Sequence, residues 1–218
     1  MQTNSRRAIL FDFDGTLIDA SDAIVQAFNL TLRDLDIGEM KREAVVRLIG
    51  RPLEEMFVEV MGRRPQSNEA QAILELYRTH FYPLATSHAK ALPGLAETLT
   101  HYSGRVKLGI ATSRHSRGAL QILDHLKLRQ HFGAIIGLEH VQRPKPHPEP
   151  LLQALEHLES QPEEAVMVGD TTDDMAAARA AGVLAVGITT GSHPRRELEA
   201  AGAHHIIDSL LALRAIVA

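Results

Sequence analysis

The chain has 218 residues, 44% of them hydrophobic and 23% charged, the balance of an ordinary globular protein that can bury a real core. Lys+Arg total 23 against Asp+Glu 27, a net charge of −4, so no overall basic field is present to hold a nucleic-acid backbone. Cysteine is absent, which excludes disulfide scaffolds, thiolate metal sites and cysteine nucleophiles, and no apolar run approaches the ~18 residues of a membrane-spanning helix.

The N-terminal Ser5-Arg6-Arg7-Ala8-Ile9-Leu10 has a faint likeness to a twin-arginine export signal. Its apolar stretch stops at Asp12, short of the ~7–15 residues such a signal needs, so the chain is expected to stay in the cytoplasm. Residues 8–13 read as a buried strand. From about 19 to 86 no strand is evident. Helices are predicted over 20–35, 42–49, 53–61 and 69–82, punctuated by Gly38, Gly50-Arg51-Pro52 and the glycine–proline stretch 62–65. Beyond Leu92 short β-branched or aliphatic runs at 106–111, 134–137, 165–168, 184–188 and 205–207 alternate with amphipathic stretches at 95–102, 116–126, 148–158, 172–181 and 194–201. Pro148 and Pro194 suit first helical positions, and Asp208 suits an N-cap for a last helix over 209–217. Continuous rather than alternating apolar runs mark strands covered on both faces. Strand–helix alternation predicts an α/β fold, a Rossmann-like, doubly wound parallel sheet. The helical block is then an insert: a core from 1–18 and 87–218, and a helical cap from 19–86.

Polar residues gather where such a sheet binds ligands, beyond the carboxyl ends of its strands. The first strand ends Asp12-Phe13-Asp14-Gly15-Thr16. Two carboxylates two apart lie on one side of an extended chain, and burying them without a partner is costly. The second core strand ends Thr112-Ser113, Arg143-Pro144-Lys145-Pro146 follows the third, and the fourth leads into Gly169-Asp170-Thr171-Thr172-Asp173-Asp174. Each has a structural alternative. Asp14 and Thr16 suit a capping turn, Thr112 or Ser113 an N-cap, Lys145 a solvated loop, and Asp170, Asp173 and Asp174 a helix dipole. Their appearance in order at one sheet edge favours a shared site. The histidines show no pair spaced i,i+4 with an acid between, so a zinc site is not expected.

Asp12-Phe13-Asp14-Gly15-Thr16, Thr112, Lys145 and Gly169–Asp174, with alanine-rich sequence on to Ala181-Gly182, together resemble the haloacid dehalogenase-like hydrolase superfamily, over essentially the whole chain. The likeness is greatest to its phosphoglycolate-phosphatase-like, helically capped branch. The resemblance implies a Mg²⁺-dependent phosphatase of a small phosphorylated metabolite. Asp12 would be the nucleophile that takes the phosphoryl group, and Asp14 the general acid and base. Thr112, Ser113 and Lys145 would bind the phosphoryl group. Asp12, Asp170 and the backbone carbonyl of Asp14 would hold Mg²⁺, with Asp174 an additional acid nearby. Arg51, on a predicted cap loop, would meet a second anionic group of the substrate, or else simply belong to an interhelical turn. Arg114 and His115 are further candidates to face the leaving group. The protein would act as a monomer or homodimer, without nucleic-acid or membrane partners. Within the superfamily, the acid at Asp14 argues against the dehalogenating branch. A phosphomutase of the β-phosphoglucomutase type shares all these motifs and stays open. A phosphonate hydrolase, which would need Lys41 as its cap lysine, and a non-enzymatic phosphoacceptor module are weaker alternatives.

Overall fold

The computed structural model describes residues 6–217. Ser5 of the export-like stretch lies outside the described residues, as do the outermost limits, 1 and 218, of the expected core segments. In chain order come β1 (Ala8–Phe11), β2 (Ile18–Asp19), α1 (Ser21–Asp34), α2 (Arg42–Val46), α3 (Leu53–Met61), α4 (Ser67–His88), β3 (Lys90–Ala91), α5 (Leu95–Tyr102), β4 (Lys107–Ala111), α6 (Ser116–His125), β5 (Ala134–Ile136), α7 (Glu149–His157), β6 (Ala165–Gly169), α8 (Thr172–Ala181), β7 (Leu184–Ile188), α9 (Arg195–Ala200) and β8 (His205–Ile207).

The six core strands form one parallel sheet in the order β5-β4-β1-β6-β7-β8. Strand side chains alternate between its two faces. Ile9 and Phe11 join a cluster with Ile110, Val168 and Ile122, whereas Ala8 and Leu10 join another with Met167, Leu151 and Met175. Both faces are covered by helices, so every β1 residue is fully buried. That is the physical reason its run is apolar throughout. The order places β1 between β4 and β6, the point where strand succession reverses and a crevice opens at the carboxyl ends. The fold is the expected Rossmann-like sheet with a helical block after the first strand.

The helical block is anchored through α1 and α4. Phe28 stacks on Phe57 with ring centroids 4.6 Å apart, and Tyr77 stacks on Phe81 at 5.5 Å. Three expectations are corrected. The last helix of the block starts at Ser67 and runs through Pro83 to His88 instead of stopping at Tyr82. Pro83 is exposed, while Phe81 and Ala85 on either side are buried, so packing of the buried face outweighs the local cost of the ring. A two-stranded antiparallel ribbon, Ile18 opposite Ala91 and Asp19 opposite Lys90, joins the block to the core where no strand was expected. At the C-terminus Asp208 is no N-cap. Its carboxylate accepts from Thr189 and Arg195, while Ser209 caps a short 3-10 segment, Leu210–Ala215. Among the described residues no helix is long and apolar enough to cross a membrane.

Candidate active site

The strand tips carry acids into one small volume. Asp12 follows β1 directly, and its backbone N–H still donates to Val168 on β6 at 2.9 Å, extending the ladder by one rung. Gly15 then turns the chain at φ +80, a conformation a side chain resists. A Cβ there would lie 2.6 Å from Asp170 Oδ2. The turn closes through Gly15 N–H to Ile18 O at 2.8 Å, and it aims the Thr16 hydroxyl at Asp170 Oδ1, 3.0 Å away. Asp170 follows β6 as Asp12 follows β1. Asp174 sits in the first turn of α8, where it accepts from the backbone N–H and hydroxyl of Thr171 in a capping box.

Asp12, Asp170 and Asp174 each bring a carboxylate oxygen within 4.8 Å of the others, and all three are buried. Lys145, 4% exposed, donates to Asp12 Oδ1 at 2.7 Å and to Asp174 Oδ1 at 2.6 Å. The second Asp12 oxygen is buried with no hydrogen-bond partner. Burial of an ion costs several kcal/mol even after relaxation, and one ammonium cannot neutralise three carboxylates. Burial accordingly pushes Asp12 well above the ordinary carboxylate range; Lys145 opposes this, and Asp174 and Asp170 add to it. Asp170 is pushed up to about 7, first by burial and then by Asp174. For Lys145 burial disfavours the ammonium, but Asp12 and Asp174 outweigh it and the group is held charged. Three buried carboxylates, one orphaned oxygen and a single cation form a hard-oxygen donor set with charge left to neutralise, which fits a divalent ion such as Mg²⁺.

A stability prediction follows from Asp170. Its folded pKa lies above the unfolded value, so between them the folded protein binds a proton that the unfolded chain releases. Metal-free protein therefore loses stability as pH rises from about 5 to about 7. The lowered carboxylates Glu69, Glu139, Glu149 and Asp208 give the opposite slope at more acid pH, and the lowered histidines His101, His115 and His204 oppose the decline within the window. The Asp170 contribution is therefore read as the difference in melting temperature in chelator between the parent and Asp170→Asn, which should shift against the parent as pH rises from about 5 to about 7; a difference that is flat or shifts in the parent's favour would contradict it.

The expected residues divide into two groups. Thr112 and Ser113 follow β4 and reach the same crevice, both buried. Thr112 Oγ1 accepts from the Arg114 N–H at 3.1 Å, and the Ser113 hydroxyl has no partner. The Asp14 carboxylate stands apart from the three-acid group: Arg114 grips it with two bonds, Nε to Oδ2 at 2.9 Å and Nη2 to Oδ1 at 2.7 Å. The guanidinium of Arg114 also lies 4.5 Å from the Phe81 ring centre on α4, within cation–π range. Arg51 lines the crevice but is half exposed and pairs loosely with Glu59 at 3.6 Å. The neighbouring Gly50 is held close to the acid site, since a Cβ there would meet Thr171 Cγ2 at 2.6 Å.

Sequence reasoning missed the loop after β7. The Ser192 N–H donates to Asp170 Oδ2 at 2.8 Å, and the Thr190 hydroxyl donates to the Gly15 carbonyl at 2.6 Å. A Cβ on Gly191 would fall 1.9 Å from Asp170 Oδ2. The findable signal was Thr189-Thr190-Gly191-Ser192 at the tip of a fifth strand on the same sheet edge.

The sequence model of the haloacid dehalogenase-like hydrolase family matches residues 9–188. The chain belongs to this family. Among its curated relatives is a probable phosphatase, IndB, of Dickeya dadantii (strain 3937), 35% identical over 92% of this chain and 89% of the relative. A phosphoglycolate phosphatase of Salmonella typhimurium is 30% identical over 85% of this chain and 82% of its own length. The crystal structure of a putative haloacid dehalogenase-like hydrolase from Bacteroides fragilis superposes with a TM-score of 0.90 at 31% identity, covering 96% of this chain and all of that one.

Proposed function

We infer that this hydrolase is a Mg²⁺-dependent phosphatase of a small phosphorylated metabolite, working through an aspartyl-phosphate on Asp12. The observation that carries the reading is the Asp12 carboxylate itself, with one oxygen held by Lys145 and the other buried without a partner. The two phosphatase relatives support the same reaction class.

Asp12 attacks phosphorus; its new bond to phosphorus forms as the bond to the ester oxygen breaks. Asp14 gives the departing alkoxide a proton, then takes one from the water that attacks phosphorus as its bond to Asp12 breaks, so that Asp12 is regenerated and inorganic phosphate is released. Arg114 holds Asp14 at its station. Lys145, Thr112 and Ser113 set donors around the phosphoryl oxygens. Asp12, Asp170 and the Asp14 carbonyl would hold Mg²⁺ with Asp174 beside them, and the ion would offset the carboxylate charge and polarise the phosphoryl group. Helices α1 to α4 act as a lid that excludes water from the crevice.

Purified protein supplied with Mg²⁺ is expected to release phosphate from members of a panel of phosphorylated metabolites. One cation–anion contact near 4 Å at an effective dielectric of 20 is worth about 4 kcal/mol. A chelator should therefore lower turnover by roughly 10³-fold, and Mg²⁺ should restore it. Rates unchanged in chelator would refute the metal role.

A further inference from the structure

The crevice extends away from Asp12 into an open-mouthed cleft of about 80 Å³. That is space for several waters, and so for the leaving group of a small ester. Its far walls come from the helical block and are apolar or aromatic: Ile24, Ile49, Leu53, Met56, Tyr77 and Phe81. Phe81 adjoins the leaving-group end directly, through its contact with the Asp14-bound Arg114.

No arginine on the lining is both buried and free. Arg114 is saturated by Asp14. Arg78 binds Glu75 and shares a hydrogen bond with His115 at 3.1 Å. Arg51 pairs only loosely with Glu59 and stays half exposed at the mouth, outside the apolar walls. Asp12 and Asp14 are the acids on the lining. A second carboxylate or phosphate on the substrate would thus leave water for an apolar chamber with no free buried cation to meet it, which is strongly disfavoured. A neutral polar group is available instead: the hydroxyl of Tyr77, on the lining, makes no hydrogen bond among the described residues.

We propose that the substrate is a phosphate monoester whose leaving alcohol is uncharged and largely apolar or aromatic, with a neutral hydrogen-bonding group for Tyr77, and not a small dianionic metabolite such as phosphoglycolate or pyrophosphate. The inference rests on the phosphatase reading for its chemistry: the alcohol that takes the Asp14 proton leaves along the apolar wall. It commits only the far half of the cleft, so binding can test it separately from turnover.

Two measurements on the full chain with Mg²⁺ keep the two readings apart. The first compares hydrolysis of benzyl phosphate, phosphoglycolate and pyrophosphate, the first two having alkyl leaving groups. Benzyl phosphate should win in kcat/KM by about tenfold or more, the usual discrimination of an apolar pocket. The second measures calorimetric binding of benzylphosphonate against phosphonoacetate, neither of which can be turned over, with the same order expected. The Leu53→Lys variant adds a free cation at a half-buried position of α3, and should narrow or reverse the binding order while the protein stays folded by circular dichroism. Tighter binding of phosphonoacetate by the parent, or faster phosphoglycolate or pyrophosphate hydrolysis, overturns the proposal. Preferential benzylphosphonate binding without hydrolysis of any ester upholds the apolar cleft and overturns the phosphatase reading.

Discussion

Asp12→Asn is expected to lower phosphate release by at least ~10³-fold while leaving the fold intact, because the amide is a poor nucleophile and covalent catalysis is lost. The substitution is nearly isosteric at a 3% exposed position, so no cavity forms. The amide oxygen can still accept the Lys145 hydrogen bond that Oδ1 takes at 2.7 Å. Removing one of three crowded carboxylates also relieves repulsion that burial magnifies. Melting temperature in chelator should therefore be unchanged or higher. Activity is read by phosphate release with Mg²⁺, and folding by circular dichroism. A variant within about tenfold of the parent rate would remove Asp12 from the nucleophile's role.

The second large effect concerns stability. Lys145→Met keeps the aliphatic stem but deletes the ammonium that binds both Asp12 and Asp174. Breaking a buried pair by removing one partner costs about 3–5 kcal/mol, since the remaining charges are left uncompensated. For a chain of this size that is roughly 6–20 °C of melting temperature. The carboxylates can take up protons instead, so the loss should be larger at pH 8 than at pH 5.5. Differential scanning calorimetry in chelator at both values measures it. A loss under ~2 °C at pH 8 would mean that Lys145 does not neutralise this cluster.

Much of the architecture was legible because its causes are local. β7 and β8 fall on their predicted residues, and β1 ends only two residues before the predicted limit at Phe13. Buried parallel strands declare themselves by unbroken apolar runs, and acids at their tips have few roles other than a site. What escaped was set by contacts remote in sequence. Local rules end a helix at Pro83, yet α4 continues because Tyr77, Phe81 and Ala85 are buried along one face. Asp14 was expected to act through its carboxylate as acid and base and through its backbone carbonyl at the metal; that its carboxylate is held by Arg114, a hundred residues away, could not be read locally. Asp174 was expected as an additional acid near the metal; that it also shares Lys145 with Asp12, held there by the α8 capping box, was not read from the sequence. Asp170 owes its orientation to Thr16 and to the loop at Gly191-Ser192, both remote from it in sequence.

The ribbon of β2 and β3 carries a consequence for the protein's history and engineering. Ile18 lies opposite Ala91, Asp19 opposite Lys90, and the Leu92 N–H reaches back to the Leu17 carbonyl at 2.9 Å. The seventy residues between leave and re-enter at one doorway, so a tight hairpin can replace them without rerouting the main chain. Exchange of such a module leaves the strand-tip acids of the sheet where they are and replaces only the far walls of the cleft, a topology in which selectivity can be transplanted independently of reactivity.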